Sequence, residues 1–319
     1  MIKLLKPEIF QGSLRKKKYF EGWYFKQVSA DLNQVYAFIP GISLSENDPH
    51  SFIQVINGIS GETHYVSYPL NQFKWEKKKL HIQVGTSVFC KDYIKLDIAN
   101  ADLTVKGTLH FDGITPYPAS IMNPGIMGWY SFVPFMECYH GVVSVNHRLK
   151  GELTINNAQI DFNNGKGYIE KDWGTSFPSC WIWLQSNSFK NSEASLFVSV
   201  AKIPWLGKFF MGFIAFLYFN GQFFRFSTYN GSKIDKLLFH DDILQIHLAY
   251  KNYRLSVQAR IKNAGTLIAP SRGSMNRRIK ESIDSTVTVK LSTKKGLVVF
   301  EESSSRAGLE IIEELFRYF

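Results

Sequence analysis

The chain has 319 residues, 45% of them hydrophobic and 15% aromatic, with a net charge of +10. The hydrophobic share is ordinary for a globular protein with room for one large or two medium domains, and the aromatic share is high, which favours strands and apolar pockets. Three scattered cysteines, Cys90, Cys138 and Cys180, argue against a disulfide framework and against a thiolate metal site. The positive charge permits attraction to anionic membrane surfaces, nucleic acid or acidic ligands without singling one out.

The chain begins with a basic lead-in that ends in Arg15-Lys16-Lys17-Lys18, read as a solvated face. The first residues break at Pro7 before a long apolar core forms, so no secretory leader is expected. Tyr19 to Val28 reads as a strand in which Glu21, Trp23 and Phe25 alternate with Gly22, Tyr24 and Lys26. Short strand-like runs separated by turn signals then continue to Ile155. A domain boundary is expected at Asn156-Asn157, dividing the chain into 1–156 and 157–319.

Gly165 to Gly174 and Trp181 to Asn187 concentrate the most chemistry. At a period of two, Tyr168, Glu170 and Asp172 share one strand face. On the next strand Trp181, Trp183, Gln185 and Asn187 share one face, and Ile182 and Leu184 take the other. Large apolar surface mixed with a few oriented polar groups suits a ligand cavity, although tryptophans also pack in cores. Glu137 and His140 fall three apart and would face opposite sides of a strand, so they are expected as separate polar wall residues rather than as an acid–base dyad.

Beyond Asn187, Phe213 to Phe219, Asn220-Gly221 and Gln222 to Phe226 read as a hairpin with a two-residue type I′ turn. Two further hairpins follow, and Leu309, Ile312, Leu315, Phe316 and Phe319 fall at helical spacing. The most apolar window, Phe209 to Phe219, is far shorter than the ~20 residues of a membrane-spanning helix. The expectation is a mainly β, cytoplasmic protein, with peripheral membrane contact at this hairpin. Ligand-spaced His and Cys sets, a phosphate loop and a nucleophile elbow are lacking in the sequence, so no metal or cofactor is expected, and no nucleic-acid-binding module is recognised.

Glu21-Gly22-Trp23-Tyr24-Phe25-Lys26, Gly128-Trp129-Tyr130-Ser131-Phe132, Met136 to Gly141, Gly167 to Gly174 and Trp181 to Asn187 occur in that order. Gly273 to Glu281 and Ala307 to Glu310 extend the series. Together these motifs resemble the tocopherol cyclase family, and the first and central ones also resemble carotenoid hydratases and related lipocalin-like proteins. The resemblance implies two tandem lipocalin-like antiparallel β-barrels, here with a short C-terminal helix. It also implies ring closure of a prenylated hydroquinone to a chromanol without a redox cofactor or metal.

Such a reaction needs a proton delivered to an alkene. A carboxyl in an apolar cavity can hold that proton, because desolvation raises its pKa. Indole faces stabilise developing cationic charge by ~1–2 kcal/mol each when dry. Asp172 is the first choice as donor and Glu170 the second, against the alternative that one of them pairs with Lys171 or Arg148. Trp23, Tyr24, Tyr168, Trp181, Trp183, Gln185, Asn187, Glu137 and His140 are the candidate substrate-binding residues. A hydratase would share the first step, and a non-catalytic carrier of an apolar lipid is the alternative reading.

Overall fold

The computed structural model describes residues 3–191, 193–205 and 207–319; Met1 and Ile2 of the lead-in, Ser192 and Leu206 lie outside the described residues. The first twelve strands are β1 (Tyr19–Val28), β2 (Val35–Leu44), β3 (Pro49–Asn57), β4 (Thr63–Pro69), β5 (Phe73–Trp75), β6 (His81–Val84), β7 (Ser87–Cys90), β8 (Tyr93–Ala99), β9 (Thr104–Thr115), β10 (Cys138–Ile155), β11 (Ala158–Asp161) and β12 (Lys166–Gly174). They form one sheet in the order β4-β3-β2-β1-β12-β10-β9-β8-β7-β6-β5, with β11 paired to β10. The remaining strands are β13 (Trp181–Ser186), β14 (Ser195–Trp205), β15 (Lys208–Phe219), β16 (Gln222–Ser227), β17 (Lys233–His240), β18 (Ile243–Tyr250), β19 (Tyr253–Arg260), β20 (Ala264–Ser271), β21 (Ser274–Thr293) and β22 (Val298–Ile311). They form a second sheet in the order β16-β15-β14-β13-β22-β21-β19-β18-β17, with β20 paired to β21. The pairings given for both sheets are antiparallel, as expected for lipocalin-like sheets.

The chain divides into two compact units. One comprises residues 1–57, 62–177 and 266–278, and the other 58–61, 178–265 and 279–319. This differs from a cut at 156/157. Asn156 and Asn157 both have positive φ (48° and 68°) and form the tight turn that brings Ile155 opposite Ala158. An Asn pair in the left-handed region is hairpin chemistry rather than a linker. The unit extends past that turn because β12 lies between β1 and β10, and a strand hydrogen-bonded on both sides cannot leave its sheet.

Each unit has its own core. In the first, Trp23, Phe25, Phe38, Phe89, Leu109 and Ile169 are buried together. In the second, Ile182, Leu184, Val198, Leu248, Val289 and Leu309 are. The Asn220-Gly221 hairpin is found as expected: Phe219 pairs with Gln222, and both turn residues have positive φ. Phe213, Ala215, Phe216 and Leu217 of the same apolar run are buried, whereas Phe209 is 47% exposed. The C-terminal helix is a single 3-10 stretch, Glu313–Tyr318. Leu309, the first of the residues at helical spacing, belongs instead to β22, where pairing with β13 buries it. No helix among the described residues is long and apolar enough to cross a membrane.

Candidate active site

Strands β1, β12 and β10 lie side by side, and their register sets the site. Tyr24 pairs with Glu170, Gly22 with Asp172, and His140 with Asp172 from the other side. Cross-strand partners project to the same face. Trp23, Phe25 and Ile169 point into the first core cluster, so Tyr24, Tyr168, Glu170 and Asp172 occupy the opposite face. That face is not a wet exterior: Tyr168 and Glu170 are buried, and Asp172 retains 24% side-chain exposure.

His140 lies between the two carboxylates. Its Nδ1 is 2.9 Å from Asp172 Oδ1 and its Nε2 is 3.7 Å from Glu170 Oε2. The Tyr168 hydroxyl donates to Glu170 Oε2 at 2.7 Å, and the Cys138 thiol approaches Asp172 Oδ1 at 3.7 Å. The His140 backbone N–H is 3.1 Å from Met127 Sδ, which ties this strand end to the β9–β10 connection. Burial works against a charged imidazole. The charges of Asp172 and then Glu170, with the Asp172 hydrogen bond, outweigh it and lift His140 to about 9. Burial, with Glu170 alongside, pushes the Tyr168 phenol well above its ordinary value, so it remains a donor. Burial and Asp172 likewise raise the Cys138 thiol. The donor atoms of His140, Glu170 and Asp172 lie within 4.8 Å of one another, a spacing that a cation could also use. The 2.9 Å contact between Nδ1 and Oδ1 is, however, the length of a charge-assisted hydrogen bond.

The sequence-based candidates therefore separate. His140, Glu170, Asp172, Tyr168 and Tyr24 share one face of the first unit. Trp23 does not: it is fully buried on the core side, where its indole N–H donates to the Glu8 carbonyl at 2.7 Å. Lys171 also lies on the core side and pairs with Glu21 at 2.5 Å, not with Glu170 or Asp172. Glu137 precedes β10; its backbone carbonyl accepts from Thr175 N at 2.8 Å, and partial burial raises its carboxyl pKa.

Trp181, Trp183, Gln185 and Asn187 belong to the second unit, on the face of β13 opposite Ile182 and Leu184. The Trp181 indole donates to Glu310 Oε2 at 2.5 Å, and Gln185 Nε2 donates to Asn187 Oδ1 at 3.3 Å. Glu310 pairs in register with Trp183 on one side and with Glu281 on the other, so two buried carboxylates belong to this face. Neither had been assigned a role from sequence, although both lie in recognised motifs. Only the strand pairing places them beside the tryptophans.

Residues 112–312 match the family model described as tocopherol cyclase-like. The chain is 28% identical over 111 residues to the chloroplastic tocopherol cyclase of Zea mays, covering 33% of this chain and 23% of that protein. It is 22% identical over 195 residues to a protein of Oryza sativa subsp. japonica named "Probable tocopherol cyclase, chloroplastic", covering 58% of this chain and 41% of the rice protein. The chain thus spans less than half the length of these curated relatives. Among solved structures, CghA with Sch210972 superposes with a TM-score of 0.59 at 13% identity, over 92% of this chain and 88% of that one. Kievitone hydratase from Nectria haematococca gives 0.51 at 10% identity, with the same two coverages. At these identities the likeness is one of fold. The family model spans more than half of the 319 residues and includes β10, β12 and β13, and the chain belongs to the tocopherol cyclase-like family.

Proposed function

We propose that the protein is an acid catalyst that protonates a carbon–carbon double bond of an isoprenoid or prenylated hydroquinone substrate. The supporting observation is the Asp172–His140–Glu170 array, in which a largely enclosed imidazole is held between two carboxylates. Asp172 is the partly exposed member and so the one an alkene can reach; Glu170 is almost fully enclosed. In this reading the His140 Nδ1 proton passes to Asp172, which delivers it to the less substituted alkene carbon and leaves a tertiary cation at the other carbon. The substrate's phenol oxygen bonds to the tertiary carbon, and the phenolic proton returns through Asp172 to His140, which Glu170 helps to keep charged. The cycle is neutral in protons and electrons. A hydratase would differ only in that water supplies the oxygen.

Tyr168 and Tyr24 are the proposed wall of this site, with Glu137 at its edge. Trp181, Trp183, Gln185 and Asn187 are proposed as a ligand-contacting face of the second unit taken by itself. The apolar substrate would be collected from a lipid surface by the β14–β15 hairpin, where Trp205 and Phe209 are exposed and Lys202 Nζ lies 4.2 Å above the Phe209 ring. Liposome binding by Phe209→Ser compared with wild type tests that part.

The central test is turnover in D2O with a prenylated hydroquinone and, separately, an acyclic isoprenoid alkene. One carbon-bound deuterium per product molecule is expected, and it should disappear in Asp172→Asn. Recovery of bound but unreacted isoprenoid from an active-site-intact protein would favour the carrier reading. Loss of turnover on chelation would transfer the chemistry to a cation.

A further inference from the structure

The core-side face of β12 carries a charged pair that the proposed chemistry does not use. Lys171 and Glu21 are both fully buried. The three ammonium hydrogens have three acceptors: Glu21 Oε1 at 2.5 Å, the Pro7 carbonyl at 2.8 Å and the Ile9 carbonyl at 2.5 Å. The Trp23 and Trp173 rings lie 4.6 and 4.9 Å from the ammonium. The Glu21 carboxylate reads the same segment by its donors. Oε1 accepts from Gln11 N at 2.7 Å, and Oε2 accepts from Gly12 N at 2.9 Å and from the Tyr19 hydroxyl at 2.5 Å. Trp23 adds its bond to the Glu8 carbonyl. Residues 7–12 are therefore held through main-chain atoms: three carbonyls and two N–H groups.

Two steric features fix where the segment lies. A side chain at Gly12 would overlap the Tyr19 ring, and one at Gly141 would overlap Pro7. Gly141 is the register partner of Lys171, and the neighbouring pair in the ladder is His140 with Asp172. The segment thus touches both members of the rung next to the acid array. The β10–β12 ladder is irregular just beyond it, with register shifts between Val142 and Ser144 and between Ser144 and His147. Bulges bend a strand and interrupt its ladder locally, so the regular pairs from Cys138 to Val142 end next to the acid array. The strap packs on the Gly141–Lys171 rung at the end of that regular run.

We propose that Lys171 and Glu21 form a main-chain-binding clamp whose occupant is the chain's own residues 7–12, and that this strap is a positioning device for His140 and Asp172 on the other face of the same strands. The inference relies on the proposed function only for the meaning of the array it positions. Its test needs no substrate, so the two can fail separately.

The test compares wild type, Glu21→Gln/Lys171→Met and Gly12→Val in the full chain. The double variant removes both charges together and avoids stranding one in the core. Gly12→Val crowds the Tyr19 ring and pushes the strap away while leaving Lys171, Glu21, His140 and Asp172 in the chain. Two quantities are read: protease protection of the bonds in residues 7–12, and the His140 titration midpoint by NMR. In wild type the bonds should be protected and the midpoint should lie well above the ordinary histidine value, at about 9. In either folded variant the strap should be cut at least tenfold faster, and the midpoint should fall by a unit or more toward the ordinary histidine value as the contact with Asp172 loosens. A released strap with an unchanged His140 midpoint would overturn the positioning role. Continued protection in both variants would overturn the clamp. If the double variant does not fold, Gly12→Val alone carries both readouts.

Discussion

The two faces of β12 show the same residue types put to opposite uses. On the core side Lys171 and Glu21 are fully enclosed, and each charge is met by an opposite charge and by main-chain partners. On the other side Glu170, Asp172 and His140 hold two carboxylates against one imidazole, with Asp172 partly open. A complete set of partners fixes a charged group in place, because removing it would strand the remaining groups. A shared and partly open set leaves a proton to give away. Sequence alternation put Lys171 between Glu170 and Asp172, and the pleat then separated structural charge from transferable charge by one residue.

That contrast can be broken most sharply at Asp172. Asp172→Asn should lower turnover on an isoprenoid alkene by ~10²–10⁴, the usual span for a lost general acid, while leaving the thermal midpoint within a few degrees of wild type. If Glu170→Gln alone abolishes turnover and Asp172→Asn does not, the donor is the enclosed carboxyl. Lys171→Met probes the other face. It strands Glu21 in the core and should destabilise the fold by about 3–5 kcal/mol in urea unfolding, the range for one partner removed from a buried pair. A loss below ~1 kcal/mol would show that the pair is solvated in the native protein.

The pH dependence of stability sharpens the comparison. His140 has a folded pKa raised to about 9, so its contribution is complete below the unfolded value of 6.5 and is lost as pH rises through 9. His147, fully enclosed, is pushed down to about 3 by burial, so stability is lost as pH falls from 6.5 toward 3. Lys171 is depressed to about 8 by burial, which outweighs Glu21, so its effect is to raise stability as pH climbs from 8 to 10.5. Urea midpoints should therefore peak near pH 6.5, fall between 6.5 and 8, and flatten between 8 and 9. A midpoint that rises steadily from pH 6.5 to 8 would contradict the His140 assignment. The smallest effect is expected at Trp183→Phe: a phenyl face retains part of the cation–π surface, and turnover should fall less than in Asp172→Asn.

Much of the architecture was legible in the chain itself. Period-two alternation identified β1, β12 and β13, and Asn220-Gly221 marked the β15–β16 turn by its tolerance of positive φ. The same turn chemistry is present at Asn156-Asn157, the expected boundary, where it closes a hairpin inside the first sheet. The helical spacing of Leu309 and its neighbours likewise yielded to pairing of β22 with β13, because tertiary burial outweighs local pattern.

Local sequence determined which residues share a face of one strand: Tyr168 with Glu170 and Asp172, and Trp181 with Trp183 and Gln185. It could not determine which strands lie side by side, since that depends on contacts between residues distant in the chain. Only the tertiary structure brought His140 from β10 between the carboxylates of β12, turned Trp23 into the core, joined Glu310 to Trp181, and set Lys171 on Glu21 and the carbonyls of residues 7 and 9. A charge read along one strand has two faces and no partners. Its neighbours decide whether it becomes part of the scaffold or part of the chemistry.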